Sequence, residues 1–220
     1  MEKNSEFEEL CKLGGDAIEG TFDRTRFNAD LSFLGPQLPA YASLLGLKNG
    51  FYAFAEALHV YAYSQTDRYN EQEVVTWNKV SLWKRAYELT EGEPFAFAED
   101  IFSYQFCFDA GRVASFDPET GELEPLCGTL NEWATLMLTD PETHLGYETA
   151  REWSKIKGSL RRGERLVPVY PFITSEGSVD LTNLYPVEAL KGMLSRADFA
   201  RQIKTVPDGQ QVEIVPLIPQ

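Results

Sequence analysis

Residues 95–126 read FAFAEDIFSYQFCFDAGRVASFDPETGELEPL, and this stretch decides the fold. Four runs rich in aromatic and β-branched residues lie within it: FAF (95–97), FSYQFCF (102–108), RVASF (112–116) and ELEPL (122–126). Such runs suit the pleated surface of a strand. Two of the connections, Asp109-Ala110-Gly111 and Asp117-Pro118-Glu119-Thr120-Gly121, carry hairpin chemistry. An Asp opens each turn, Pro118 presets φ, and Gly111 and Gly121 can take the left-handed position. The expectation is an antiparallel meander.

Outward from the meander the pattern alternates. Upstream, FYAF (51–54) and ALHVYAY (57–63) read as a further hairpin. Helices are expected at three places before it closes. The first follows a Ser5/Glu8 capping box, with Phe7, Leu10 and Cys11 on one face and Gly14-Gly15 as the stop. The second is LPAYASLLGLKNG (38–50), ended by Asn49-Gly50. The third spans 77–89, where Val80, Trp83, Ala86 and Tyr87 share a face and Lys79, Lys84, Arg85 and Glu88 reach solvent. Downstream, a Thr129/Glu132 capping box opens a helix through Trp133 and Met137, and Pro141 opens another running to Lys157. LVPVYPFI (166–173) reads as an edge-like strand because Pro168 and Pro171 lack an amide hydrogen. VDLTNLY (179–185), a helix over 187–203 broken near 195–198, and a last strand QVEIVPLI (211–218) complete the chain. The class is α+β: a curved, mainly antiparallel sheet flanked by helices, with residues 1–220 as a single domain and 151–220 as a candidate C-terminal elaboration.

Of the 220 residues, 34 are acidic and 20 basic, a formal charge of −14. Binding to nucleic acid rests on Lys and Arg neutralising phosphate, so this balance points away from it. With 43% apolar and 13% aromatic residues the chain can bury a core and is unlike a disordered one. Cys11, Cys107 and Cys127 are widely spaced and lack a zinc-type arrangement, so they read as small buried thiols in a reducing compartment. Neither a secretory leader nor a membrane span is visible, and the expected location is the cytoplasm, with no membrane partner.

Catalytic signatures are missing: no Gly-x-Ser-x-Gly, His-Glu-x-x-His, Walker loop or Gly-x-Gly-x-x-Gly occurs. No cofactor or metal is expected. His59 sits in the apolar run Ala-Leu-His-Val-Tyr and reads as a hydrogen-bonded core residue, and His144 lies at a polar helix start. Glu99 and Asp100 resemble the paired carboxylates of a glycosidase, but strand neighbours point to opposite faces and cannot flank one bond. Both read as solvated surface. The segment from Asp117 to Glu122 lacks the ligand spacing of a calcium loop, and a tight turn explains it. Trp77, Trp83, Tyr61, Tyr63 and Tyr87 fit core packing better than a binding platform. The charge is uneven: residues 88–148 hold fourteen acidic residues against Arg112 alone, a net of −13, whereas residues 151–165 hold six basic and two acidic ones. Clustering of this kind steers a basic partner toward one face.

Several short motifs resemble the SUKH superfamily, the group named partly after a yeast regulator of cell-wall glucan synthesis. They are the Leu-Pro segment running through Tyr41 and Leu45 to Asn49-Gly50-Phe51, the Leu58-His59-Val60-Tyr61 strand, Trp77-Asn78 with Trp83, and Pro94-Phe95-Ala96-Phe97. Phe102-Ser103-Tyr104-Gln105-Phe106, the Leu130/Trp133 helix start, Asn183-Leu184-Tyr185 and Pro207-Asp208-Gly209 continue the likeness across most of residues 5–215. The resemblance implies a non-enzymatic α+β domain and, for bacterial members, an immunity protein that binds and neutralises a toxin, many of them nucleases. The basic stretch 151–163 is longer than the minimal domain of that family. The expected function is therefore toxin neutralisation through an acidic face, with Glu99, Asp100, Asp109, Asp117, Glu119, Glu122 and Glu124 binding a basic protein partner. A regulatory protein-protein scaffold is the alternative, and a hydrolase using Glu99 is a third reading.

Overall fold

The computed structural model describes residues 5–64, 72–92, 94–205 and 217. One six-stranded sheet is built from β1 (Phe51–Ala53), β2 (Leu58–Val60), β3 (Phe95–Glu99), β4 (Gln105–Asp109), β5 (Arg112–Phe116) and β6 (Leu123–Cys127). The strands lie in that order and every pair is antiparallel, so the meander extends through the upstream hairpin. Both turns read from sequence form as expected. Gly111 and Gly121 have positive φ, and Asp117 closes its turn by accepting from the Gly121 amide.

Helices cover both faces of the sheet. Before it come α1 (Ser5–Leu13), α2 (Arg24–Asp30) and α3 (Leu38–Leu47), and after it α5 (Leu130–Thr139); α4 (Val74–Trp77) lies between β2 and β3. Strand alternation sends Phe106 and Phe108 of β4 to one side, where they meet Trp133 of α5 and Tyr41 of α3 at ring distances of 5.6 and 5.4 Å. Gln105 points to the other side, beside Phe116, Trp77 and Met193. That second side is covered by α8 (Ala189–Ile203), with α6 (Pro141–Leu145), α7 (Tyr147–Lys157) and the two-stranded ribbon of β7 (Glu164–Pro168) and β8 (Leu184–Glu188) completing the chain. Trp77, Trp83, Tyr61, Tyr63 and Tyr87 are all buried, as their spacing predicts. Cys11 and Cys107 are buried free thiols and Cys127 is a half-buried one.

Four helical expectations need correction. Ser5 is already inside α1 and its hydroxyl donates to Glu6, so the Ser5/Glu8 box is not what starts the helix. The helix expected over 77–89 is only α4 and a 3-10 turn, Lys84–Tyr87. Its interruption has two causes. The Asn78 amide bridges the Val74 and Ala96 carbonyls instead of continuing the spiral, and Lys84 is fully buried, donating to the Gly92 carbonyl. The helix expected from Pro141 to Lys157 breaks at Gly146, which has φ +66° and lies where a Cβ would meet Phe102 at 2.5 Å. Conversely, α8 runs unbroken through 195–198. The strand and turn expected over 207–218 fall outside the described residues apart from Leu217, whose amide donates to Val169.

Asn49 and Gly50 do more than end α3. The Asn49 side chain donates to Thr21 and Tyr63 carbonyls and accepts from the Tyr63 amide, binding the start of β1 to the end of β2. Gly50 has φ +69°, and a Cβ there would lie 2.5 Å from the Ala62 methyl and 2.7 Å from its backbone. Gly50→Ala combines positive-φ strain with a backbone clash, so a loss of about 2–4 kcal/mol is expected in urea unfolding. A loss below about 1 kcal/mol would show that the β1–β2 hairpin can shift away from Ala62.

Candidate functional site

Antiparallel register places Tyr52 beside His59 and His59 beside Glu99, across β1, β2 and β3. Tyr52 stacks on the His59 ring at 4.3 Å, and β7 brings the Arg165 guanidinium over the Tyr52 ring at 5.1 Å. Glu99 Oε1 accepts from Arg165 Nε at 2.8 Å and faces His59 Nδ1 at 3.0 Å. A carboxylate can only accept, so Nδ1 carries the proton. Glu99 Oε2 accepts from Gln105, whose own side-chain oxygen receives Tyr61 and Trp77 at 2.9 and 2.8 Å. Arg165 also donates to the Glu56 carbonyl, in the β1–β2 turn.

The charges in this cluster are set by burial and pairing. Burial pushes the Glu99 carboxyl up, but the Arg165 guanidinium, His59 and Gln105 together outweigh it and hold the pKa at about 2. Burial pushes His59 down to about 4 despite its hydrogen bond to Glu99. His59 is therefore neutral and Glu99 ionised at neutral pH. The arrangement has the form of a histidine–carboxylate pair, yet His59, Glu99 and Arg165 are each no more than 1% exposed. A general base must reach a proton on its substrate. At these positions the side chains instead join three strands of the sheet to the C-terminal ribbon.

The seven meander carboxylates expected to face a partner divide into three groups. Glu99, Asp100 and Glu119 are buried, and their assignment to a surface is corrected. Glu99 is held by Arg165 as described. Asp100 caps the β3–β4 loop: its Oδ1 accepts from the amides of Phe102 and Tyr104, both at 2.8 Å, while Ser103 adopts φ +66°. Burial raises the Asp100 pKa to about 8. Glu119 turns inward from the β5–β6 turn and accepts from the amides of Phe172 and Ile173 at 3.0 and 3.1 Å, pinning a distant loop. Asp109 and Asp117 are half-buried, the latter accepting from the Glu119 amide. Glu122 and Glu124 are exposed beside the open edge of β6.

Sequence reasoning missed Arg165, Tyr52 and Gln105. A signal was present: His59, Glu99 and Arg165 each interrupt or end an apolar run, which a solvated residue seldom does.

A cleft of about 420 Å³ opens where the β3–β4 loop meets α6, the start of α7 and the loop held by Glu119. Phe102, Tyr104, Phe106 and Phe172 supply aromatic wall, and Asp100 and Glu142 supply carboxyls. Phe102 and Phe172 pack edge to face at 5.1 Å, which fixes one side. Among the described residues, no group of three His, Cys, Asp or Glu side chains is placed to hold a metal ion, and no helix is long and apolar enough to cross a membrane.

No family model matches the sequence, and no curated protein matches it. Among solved structures, the crystal structure of Atu4351 from Agrobacterium tumefaciens is similar, with a TM-score of 0.52 and 13% identity, covering 90% of this chain and 88% of that one. At that identity the likeness is one of fold.

Proposed function

We propose that the chain is a SUKH-type immunity protein, a non-enzymatic cytoplasmic binder that neutralises a basic toxin domain by covering it with an acidic face. The observation that carries the reading is the charge left at the surface once the buried carboxylates are removed. Glu88, Glu91, Glu122, Glu124, Glu132, Asp140, Glu142 and Glu148 are exposed, and Arg112 is the only basic residue in that span. An acid-rich surface attracts a basic protein and repels nucleic acid, which suits a cover for a nuclease groove, although Arg151 pairs with Glu148 and Lys204 lies beside the β5–β6 turn. The motifs shared with the superfamily point to the same class of partner. Relative to the sequence expectation the face is moved: it comprises Glu122 and Glu124 at the β6 edge and the acids of α5–α7, not Glu99, Asp100 or Glu119.

Mixing the protein with a cognate basic toxin domain is expected to give a stable complex. The double charge reversal Glu122→Lys/Glu124→Lys should slow association about tenfold at low salt and flatten its salt dependence, with dissociation little changed. Stopped-flow association at several ionic strengths reads both quantities. An association rate insensitive to the reversal would remove the β6 edge from the interface, and failure to form any complex would favour a regulatory scaffold.

A further inference from the structure

We propose that the cleft between the β3–β4 loop and α6–α7 is an anchor site that takes one arginine or lysine side chain from a basic protein partner. The proposal rests on the protein-binding reading above and names where its energy would concentrate.

Four observations place it there. The rings of Phe102, Tyr104, Phe106 and Phe172 line the space, and a cation set over an aromatic face is attracted by the ring quadrupole. A carboxyl stands at the wall: both amide hydrogen bonds to Asp100 fall on Oδ1, and Oδ2 accepts none among the described residues although the side chain is 94% buried, that is, 6% exposed. A cation beside Oδ2 would favour its ionised form, which burial alone opposes. No lysine or arginine is among the lining residues, and Glu142 adds a second carboxyl at the α6 side. Finally, the mouth carries exposed apolar surface: Val179 is 57% exposed, and Ile173, next in sequence to the lining residue Phe172, is 50% exposed. A free small cation has no use for that rim, whereas a side chain arriving on a protein surface brings apolar neighbours to cover it. A central pocket filled by Arg within an apolar surround is the usual anatomy of an interface hot spot.

The Phe172 side of the cleft is held in place by Glu119, so the carboxylate removed from the surface has a second role as the support of the cleft.

The test uses backbone amide NMR of the whole protein titrated with three probes: the peptide acetyl-Ala-Leu-Arg-Leu-Ala-amide, the same peptide with Gln for Arg, and agmatine. The Arg peptide should shift the amides of Thr143, Gly146 and Thr149 and bind at least tenfold tighter than agmatine, with the Gln peptide silent. Val179→Arg, an exposed change that sets a cation at the mouth, should weaken the peptide at least tenfold with an unaltered melting temperature. Asp100→Asn, which keeps the Oδ1 acceptor, should weaken it likewise. No shift at these amides, or agmatine binding as tightly as the peptide, would overturn the proposal. Toxin binding untouched by Val179→Arg would also overturn it while leaving the immunity reading in place. Peptide binding without any toxin complex would leave the cleft standing and sink immunity.

Discussion

Arg165→Met is expected to cost about 3–5 kcal/mol in urea unfolding. The substitution keeps the length and apolar body of the side chain, so packing against Tyr52 is largely preserved. What it removes is the only cation among the described residues that touches Glu99, leaving a carboxylate at 1% exposure facing a neutral histidine and an amide. A buried charge without its partner carries its desolvation cost in full. The double change Arg165→Met/Glu99→Gln should recover part of the loss, because Gln carries no charge and its oxygen can still accept from His59, although its amide nitrogen then meets the Gln105 donor. If Arg165→Met alone lost under about 1 kcal/mol, water must reach Glu99 and the ion pair would be a surface one in energetic terms.

Stability should be nearly flat between about pH 4.5 and 6.5 and fall on either side, because three buried groups with opposed shifts combine. On the acid side, His59 has its folded pKa depressed from 6.5 to about 4, so the unfolded chain gains the proton first. The His59 contribution is lost as pH falls from 6.5 to 4, by up to about 3 kcal/mol at 1.36 kcal/mol per unit, and the opposite Asp100 change offsets it over the same range. Glu99, depressed from 4.5 to about 2, extends the loss below pH 4.5. On the alkaline side Asp100 acts in the opposite sense. Its folded pKa is raised from 3.8 to about 8, so its contribution is complete below 3.8 and declines as pH rises toward 8. Burial dominates that shift; the amides of Tyr104 and Phe102 and the charges of Arg196 and Arg165 oppose it. Asp100→Asn should therefore gain about 2–4 kcal/mol at pH 7, with no gain at pH 4. Melting temperatures of the two proteins from pH 4 to 9 check it, and parallel curves would show that Asp100 is ionised in the native state. A stabilising substitution that also weakens cation binding would be the usual trade between a strained site and its use.

The parts of the fold legible in the sequence are those whose causes are local. Asp109-Ala110-Gly111 and Asp117-Pro118 dictate their turns within five residues, and Thr129 with Glu132 caps α5 reciprocally, as read. Helix α2 was not anticipated, although Asp23 caps it by accepting from Thr25 and Arg26. The errors arose where a side chain took a distant partner. Lys84 looks solvent-facing by helical spacing, but it reaches the Gly92 carbonyl inside the fold. Glu99 and Glu119 look like members of an acidic surface because nothing near them in sequence neutralises them. Their partners lie 66 and 53 residues away, at Arg165 and Phe172. Composition located the acidic region, while tertiary structure decided which of its carboxylates meet solvent. The cleft was invisible for the same reason: its walls come from β4, α6 and the loop around Phe172, which no periodicity connects.

The order of synthesis gives the tie between Glu99 and Arg165 a temporal consequence. Strands β1 to β6 are joined by neighbour-to-neighbour pairing, the kind of contact that forms early and quickly. At a ribosome the whole meander emerges while Arg165 is still being made, so Glu99 spends that interval without its counter-ion. The nascent sheet must keep that carboxyl either protonated or wet, and cannot close its β2–β3 flank until the ribbon arrives. Docking of β7 is then the event that dries the core, and a chain arrested before residue 165 would hold the right strands around an open, hydrated seam.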